Sequence, residues 1–243
     1  MKKIMDVYSR RTADFHPQES RAATMGNRRG KQYEVGNIED AQGSNQIELF
    51  TRTVDGKEYA DIWQLFRQAG LPVVPQLWID EEDKIYMPNL TADGSAFYGK
   101  GYADAYAVMP QELDQAFLQL IDRDFARITQ QADRLSQQAT ANGLLLPLDD
   151  GFDLHVSADG RRFDLIILDL EYGGTLEDLL ERKQRFAQGR AQAALLNFQG
   201  KGIDQLDYGE RQQLIALINE TTKKTALEGI KQAARRVKEL YGK

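Results

Sequence analysis

Aspartates gather around the segment between residues 149 and 169. Asp149 and Asp150 lie in the loop LLLPLDDG, Asp153 opens a predicted strand, and Asp169 closes the next predicted strand. A hairpin brings its two outer ends together, so Asp153 and Asp169 are expected to converge, with Asp149 arriving from the preceding loop. Gathered carboxylates repel one another unless a cation or an added proton compensates. Carboxylate oxygens completed by phosphates and water are the ligands that Mg²⁺ takes, so the spacing predicts a magnesium site.

Other interpretations use the same residues. Asp169 is also typical of a strand-end aspartate that caps the turn EYGG, and the Asp149–Asp150 pair is typical of a plain D-D-G turn. His155 follows Asp153 by two residues, so both side chains leave the same face of the strand. With Asp169 opposite, that pair favours a transition metal, whereas a histidine used only for hydrogen bonds is the commoner outcome.

The elements around this cluster follow from the apolar spacing. FDLHV (152–156) and RFDLIILDL (162–170) flank the turn SADGR and predict a hairpin with Gly160 at its turn. Before it, apolar residues recur in steps of three and four over 111–142, which predicts a long amphipathic helix. After it, Thr175 predicts a helix N-cap, and further helices are expected around 214–218 and 227–240.

The first part of the chain alternates between strand and turn signals. Short strand-like runs surround one helical segment, which covers residues 58–70 and ends at Gly70. The predicted strands are 31–35, 46–53, 71–79 and 85–90. Residues 91–106 carry turn chemistry and predict a loop. This order predicts an α+β fold with a small antiparallel-sheet lobe and a larger, mainly helical lobe.

Composition limits the functions that remain open. The 243 residues include no cysteine and two histidines, which excludes disulfides and thiolate chemistry. No apolar run approaches membrane-spanning length, so a cytoplasmic protein without a membrane partner is expected. Residues 1–31 carry a net charge of +5 and residues 220–243 one of +4, against −15 for the part between them. An acidic body makes nucleic acid an unexpected partner.

The order of these elements resembles the protein-kinase-like superfamily, including its aminoglycoside phosphotransferase branch, over roughly residues 31–200. IYMPNL resembles the last strand of the small lobe, and the predicted helix over 111–142 resembles the one before the catalytic loop. LLLPLDDGFDLHVSADGRRFDLIILDLE resembles the catalytic loop, its hairpin and the metal-binding motif. The resemblance implies a two-lobed kinase-like fold with a basic arm over 1–30, a small lobe over 31–92 and a helical lobe over 93–243.

Individual residues match the family's functional positions. Asp149 matches the aspartate that accepts the substrate hydroxyl proton, and Asp150 is the alternative choice. Asp153 stands where the family has a metal-binding asparagine, and Asp169 matches the aspartate of the D-F-G motif. Arg52 stands where the third strand would carry a phosphate-binding lysine.

The remaining positions depart further from the pattern. Glu58 or Asp61 is the candidate for the helix glutamate that pairs with that basic residue. Pro147 replaces the catalytic-loop histidine, and no glycine-rich phosphate loop is present beyond GNRRGK.

Two functions follow from the resemblance. One is a phosphotransferase that uses ATP and Mg²⁺ on a protein or small-molecule hydroxyl, and the other is an inactive pseudokinase that acts as a protein-interaction module.

Overall fold

The computed structural model describes most of the chain. The described residues are 2–22, 32–39, 46–52, 55–91, 93–100, 110–182, 198 and 201–241. Eleven strands lie within them: β1 (Lys2–Asp6), β2 (Thr12–Ala22), β3 (Gln32–Glu39), β4 (Gln46–Arg52), β5 (Trp78–Asp80), β6 (Ile85–Pro88), β7 (Ala96–Tyr98), β8 (Leu144–Leu145), β9 (Asp153–Val156), β10 (Phe163–Ile166) and β11 (Gly174–Thr175). The described helices are α1 (Gly56–Gln68), α2 (Gln111–Ala141), α3 (Leu176–Arg182), a 3₁₀ turn (Ile203–Gln205) and α4 (Tyr208–Tyr241).

The first six strands close into an antiparallel barrel in the order β1-β2-β3-β4-β6-β5. The pairing of β1 with β5, in which Ile4 lies opposite Asp80, joins the two ends of the sheet. Closure removes the exposed strand edges that an open sheet would present. The prediction of an extended basic arm is therefore wrong for residues 2–22, which form β1 and β2. Residues 23–30 lie outside the described part.

The barrel interior is filled by side chains from several of these strands. Its buried residues are Ile4, Phe15, Ile38, Leu49, Trp78 and Tyr86. Phe15 and Tyr86 meet edge to face, with ring centroids 4.8 Å apart. Aromatic pairs favour this arrangement because the positive ring edge faces the negative ring face.

Helix α1 connects β4 to β5 and lies against the rest of the molecule. Asp55 caps it by accepting a hydrogen bond from the Glu58 backbone N–H at 3.0 Å. Its buried face carries Tyr59, Trp63 and Phe66, which join a core shared with the second hairpin, α2 and α4. The helix predicted over 58–70 is therefore confirmed, and its core face is what ties the barrel to the helical part.

The second hairpin forms as the sequence predicts. β9 pairs with β10, so that Val156 lies opposite Phe163, and Gly160 takes the left-handed conformation at the turn with φ +66°. The prediction of a loop throughout 91–106 is wrong for β7, which pairs with β9 through Tyr98 and Leu154. Its three residues are too short a run to stand out from the turn residues around them. Residues 101–109 lie outside the described part.

Two long helices dominate the second half. α2 covers the predicted range, and α4 is one continuous helix where two centres of helicity were expected. Thr175 Oγ1 accepts a hydrogen bond from the Asp178 N–H at 3.1 Å, which confirms the predicted cap of α3. The α+β class and a mainly helical second part are thus confirmed, while a kinase-like arrangement of two lobes stays a prediction. Within the described ranges, no helix is both long and apolar enough to cross a membrane.

Candidate functional site

The predicted carboxylates come together at the end of the second hairpin. Asp149, Asp150 and Asp169 each offer one carboxylate oxygen, and these oxygens all lie within 4.8 Å of one another. Each of the three side chains is half-buried. The register of the hairpin pairs Asp153 with Ile166, so the chain needs three further residues to bring Asp169 back to the loop. Asp149 and Asp169 therefore lie together with Asp150, whereas Asp153, the other predicted metal ligand, is not part of this group.

A tight turn presents the loop carboxylates. The Gly151 N–H donates to the Pro147 carbonyl at 2.8 Å, and Gly151 has φ +71°, which a residue with a side chain rarely adopts. The Leu148 N–H donates to the Tyr172 carbonyl at 3.1 Å, and this bond ties the loop to the segment after Asp169. Two chain segments are thus fixed to each other at the point where their aspartates meet.

Asp153 lies next to the group of three. Its carboxylate touches the backbone of Gly99, where an added Cβ would fall 1.7 Å from Asp153 Oδ1. Only glycine allows this approach, because any side chain would collide with the carboxylate. Gly99 immediately follows β7, so the strand that the sequence did not reveal forms one wall of the site.

Burial and mutual repulsion disturb the protonation of two of these groups. Burial, followed by the charges of Asp150 and Asp169, raises the pKa of Asp149 to about 6. Burial and then the charges of Asp150, Asp169 and Asp149 raise the pKa of Asp153 to about 7. At neutral pH, Asp149 is mostly ionised and has a proton affinity suited to a general base. The protonated form of Asp153 is favoured more than that of Asp149, and a bound cation would displace the proton.

Lys100 brings a positive charge to the cluster. Its Nζ lies 3.4 Å from Asp150 Oδ1 and 3.4 Å from the Asp149 carbonyl oxygen. Its backbone packs on α4 at Gly229, where a Cβ would fall 2.8 Å from the Lys100 nitrogen. One lysine cannot balance several carboxylates. The sequence analysis missed Lys100, and the only available signal was its place in the glycine-flanked run YGKG.

Helix α4 supports the loop from beneath through a buried amide. Asn219 is fully buried, and its Oδ1 accepts a hydrogen bond from the Leu146 N–H at 2.8 Å. Its Nδ2 donates to the Leu144 carbonyl at 2.8 Å and to Thr140 Oγ1 at 3.0 Å. Asn219 therefore fixes the strand that leads into the loop. An asparagine in the middle of a helix is a weak sequence signal, and this residue was also missed.

Helix α1 reaches the segment that carries Asp169. The Tyr59 hydroxyl donates to the Leu168 carbonyl at 2.5 Å. The Ile167 N–H donates to the Pro72 carbonyl at 2.8 Å, so the connection after α1 also holds the end of the hairpin. Phe66 packs at Gly173, where a Cβ would fall 2.9 Å from the ring. Helix α1 thus contacts the chain on both sides of Asp169, at Leu168 and at Gly173.

The predicted nucleotide-binding residues lie at the start of this helix. Arg52 is the last residue of β4, opposite Ile85, and its side chain lies outside the described part. Glu58 lies in the first turn of α1 and is half-buried, whereas Asp61, the alternative, is exposed. An Arg52–Glu58 pair therefore stays a prediction.

His155 takes part in a separate polar contact. Its Nε2 lies 2.7 Å from Ser95 Oγ and 3.2 Å from the Leu90 carbonyl oxygen. The ring also stacks at a tilt on Phe97, with centroids 4.7 Å apart. These contacts correspond to the hydrogen-bonded histidine of the sequence analysis. His155 is absent from the described group of acidic ligands.

The comparisons with known proteins leave the site to be interpreted from its own chemistry. No protein-family model matches the chain, and no curated protein matches it.

Proposed function

We propose that this chain is a kinase-like, nucleotide-binding protein that transfers a phosphoryl group from ATP to a hydroxyl acceptor with the help of Mg²⁺. The observation that carries the proposal is the convergence of Asp149, Asp150 and Asp169 at the end of the second hairpin. In this proposal, the nucleotide lies between the barrel and the loop that carries Asp149 and Asp150. The proposed partners are a nucleotide and a protein or small-molecule acceptor, and the proposed location is the cytoplasm.

The donor set fits a hard divalent cation. Every candidate ligand is a carboxylate oxygen, which Mg²⁺ and Ca²⁺ prefer over the nitrogen and sulfur donors that select transition metals. Burial first, and then the charges of the neighbouring aspartates, raises the pKa of Asp149 and Asp153, so a bound cation would favour their ionised forms. In the proposed roles, Asp169 and Asp153 would hold the ion. Asp150 belongs to the described group with Asp149 and Asp169, and Asp153 lies beside it. Bound Mg²⁺ would neutralise charge on the nucleotide phosphates.

The residues of the chain have distinct proposed roles. Asp149 orients the acceptor hydroxyl and takes its proton, for which a pKa of about 6 is suitable. Tyr59 holds the Asp169 segment through the Leu168 carbonyl. Arg52 anchors phosphate, and Glu58 positions it. Positioning and charge compensation supply most of the rate enhancement in reactions of this class.

An inactive pseudokinase is the second candidate, and one contact favours it. Lys100 pairs with Asp150 at 3.4 Å and lies 3.4 Å from the Asp149 carbonyl, so a cation of the protein itself already occupies one side of the cluster. The third-strand position also carries an arginine, whose planar fork differs from a lysine in reach and geometry. In this case the protein would bind a nucleotide, or a partner protein, without transferring phosphate.

A transfer assay separates the two candidates. The purified protein would be incubated with Mg²⁺ and ATP labelled at the γ-phosphate, and release of phosphate and self-labelling would be measured. The active enzyme predicts label transfer that Asp149→Asn reduces by about 10²-fold or more. In that variant nucleotide binding should be retained. The inactive candidate predicts no transfer in either protein, whether or not ATP binds, and failure of the wild type to bind ATP contradicts the phosphotransferase.

A further inference from the structure

A separate surface cavity lies on the opposite end of α1 from Glu58. It has a volume of about 250 Å³ and lies between the β1–β2 turn and the last turns of the helix. Its lining residues are Val7, Tyr8, Arg10, Gln64, Arg67 and Gln68. The acidic cluster contributes none of them. A function of this cavity is therefore independent of phosphate transfer.

The walls of the cavity are held in place on both sides. Gln64 Nε2 donates to the Val7 carbonyl at 3.2 Å, which ties the helix to the turn. The Val7 N–H donates to the Leu77 carbonyl at 2.8 Å. Asp6 Oδ1 accepts hydrogen bonds from the Tyr8 and Ser9 N–H groups at 2.9 and 2.6 Å. The Asp6 carboxylate is thus buried and hydrogen-bonded to the backbone of the turn, and it does not line the cavity.

The cavity carries positive charge that no described carboxylate balances. Within the described part of the chain, neither Arg10 nor Arg67 forms an ion pair, although many of the other lysines and arginines do. Arg67 donates to the Pro75 carbonyl and lies over the rings of Tyr8 and Trp63, at 4.8 and 5.1 Å from their centroids. In a chain with a net charge of −6, two unbalanced arginines at one cavity form a local site for an anion.

The cavity also offers an aromatic surface. Tyr8 is 66% exposed, the second highest value among the large apolar side chains that the structure leaves at the surface. Arg10 holds a left-handed backbone with φ +59°, which a residue other than glycine or asparagine seldom takes. Tyrosine and arginine are enriched at protein interfaces, where they supply most of the binding energy. A free inorganic anion would use the arginines and leave the Tyr8 ring in water.

We propose that this cavity binds an acidic peptide segment of a partner protein. An Asp or Glu side chain of the partner accepts hydrogen bonds from Arg10 and Arg67, and an adjacent apolar side chain packs on the ring of Tyr8. The amides of Gln64 and Gln68 face the same space and pair with the peptide backbone. This docking site lies between α1 and the β1–β2 turn, and the proposal holds whether or not the acidic cluster transfers phosphate.

Nuclear magnetic resonance can test the proposal because the chain has two tryptophans, Trp63 and Trp78. Trp63 lies beneath Arg67 and donates its indole N–H to the Val74 carbonyl at 2.9 Å, whereas Trp78 lies in the barrel interior. The probe is the capped peptide acetyl-Ala-Leu-Asp-Glu-Leu-Ala-amide, and its neutral counterpart carries Asn-Gln in place of Asp-Glu. The acidic peptide should shift the Trp63 indole signal saturably and leave that of Trp78 in place.

Variants assign the binding to the two arginines. Arg10→Gln and Arg67→Gln should each weaken binding about fivefold, which is the upper end for a solvent-exposed ion pair. Arg134→Gln, an exposed arginine on α2 outside the cavity, should leave the affinity unchanged. Arg10 lies in an exposed turn, so its variant tests the proposal even if Arg67→Gln disturbs α1. The proposal is overturned if the neutral peptide binds equally well, if Arg134→Gln weakens binding as much, or if no saturable shift occurs up to about 5 mM peptide.

Discussion

Two groups of charged residues in this molecule are built in opposite ways. On the barrel, Glu34 lies between two lysines, with Oε2 at 3.0 Å from Lys2 Nζ and 2.9 Å from Lys84 Nζ. Hydrogen bonds from Lys84 and then Lys2 hold the pKa of Glu34 below its usual value. At the hairpin, Asp149 and Asp153 have raised pKa values because burial and neighbouring carboxylates act together. Hydrogen bonds from lysines lower the pKa in one group, whereas burial and like charges raise it in the other.

The difference indicates which group is structural. The charges around Glu34 join β1, β3 and the turn before β6 and need nothing further to be stable. The hairpin aspartates repel one another, and side chains of α1 and α4 hold the segments that carry them through hydrogen bonds to the backbone. A fold that maintains such repulsion gains stability from any cation that enters, which is the property of a binding site. The predictions below test this contrast, beginning with the largest expected effect.

Removing the Asn219 side chain, which supports the acidic loop, should destabilise the protein more than any other change considered. Asn219→Ala removes three hydrogen bonds, two of them buried, and leaves the Leu144 and Leu146 backbone groups without their partner. We expect a loss of about 3 kcal/mol in the free energy of unfolding, measured by chemical denaturation. Asn142→Ala, at the exposed end of α2, is the matched control and should cost less than about 1 kcal/mol. Equal effects of the two variants would show that Asn219 does not support the loop.

Neutralising Asp153 should stabilise the protein. Because folding raises its pKa, this carboxyl contributes most stability below its unfolded pKa of about 4, and that contribution is lost as the pH rises through about 7. Asp153→Asn should therefore raise the free energy of unfolding by about 2 kcal/mol at pH 8 without divalent cations, after allowance for solvent screening. The gain should be smaller at pH 5. A loss of stability at pH 8 would contradict the proposed repulsion.

Neutralising Glu34 on the barrel should instead lower the free energy of unfolding. Glu34 has a lowered pKa, so its contribution is present above its unfolded pKa of about 4.5 and is lost as the pH falls through the lower folded value. Glu34→Gln should destabilise the protein by about 0.5–1 kcal/mol at pH 8, and by less in high salt. Denaturation at two salt concentrations measures both effects. An unchanged or increased stability would remove the contrast between the two groups.

Removing the lysine of the acidic site should have the smallest effect. Lys100→Gln deletes a half-exposed ion pair with Asp150, so we expect a loss of a few tenths of a kcal/mol at pH 8. Added Mg²⁺ should then stabilise the variant more than the wild type, because the ion has less positive charge to displace. Melting curves over a magnesium titration measure this difference. A weaker response to magnesium in the variant would indicate that Lys100 assists ligand binding instead.

Local sequence signals predicted the second hairpin well. Gly160 marks its turn, Thr175 marks the following cap, and the apolar spacing defines α2, because each depends on residues close together in the chain. The convergence of Asp149 and Asp169 was predictable for the same reason, since a hairpin fixes the distance between its ends.

Contacts between distant segments were not predictable in this way. β1 and β2 are rich in polar and charged residues and become strands through closure of the barrel, which pairs Ile4 with Asp80, a residue far away in the chain. Lys100 reaches the site because Gly229 of α4 lets its backbone approach. Asn219 acts on a strand more than seventy positions earlier in the chain. Such contacts depend on packing that no local pattern records.

The most direct test of the account is thermal melting with and without Mg²⁺ and ATP, for the wild type, Asp169→Asn and the control Asp164→Asn. Asp164 is exposed on β10, outside the cluster. A nucleotide at a hundred times its dissociation constant should stabilise the folded wild type by about 2.7 kcal/mol, or about 5–10 °C in Tm. The account predicts a magnesium-dependent shift that Asp164→Asn keeps and Asp169→Asn loses. Equal shifts in all three proteins, or none with ATP at several millimolar, would contradict a magnesium–nucleotide site at the hairpin.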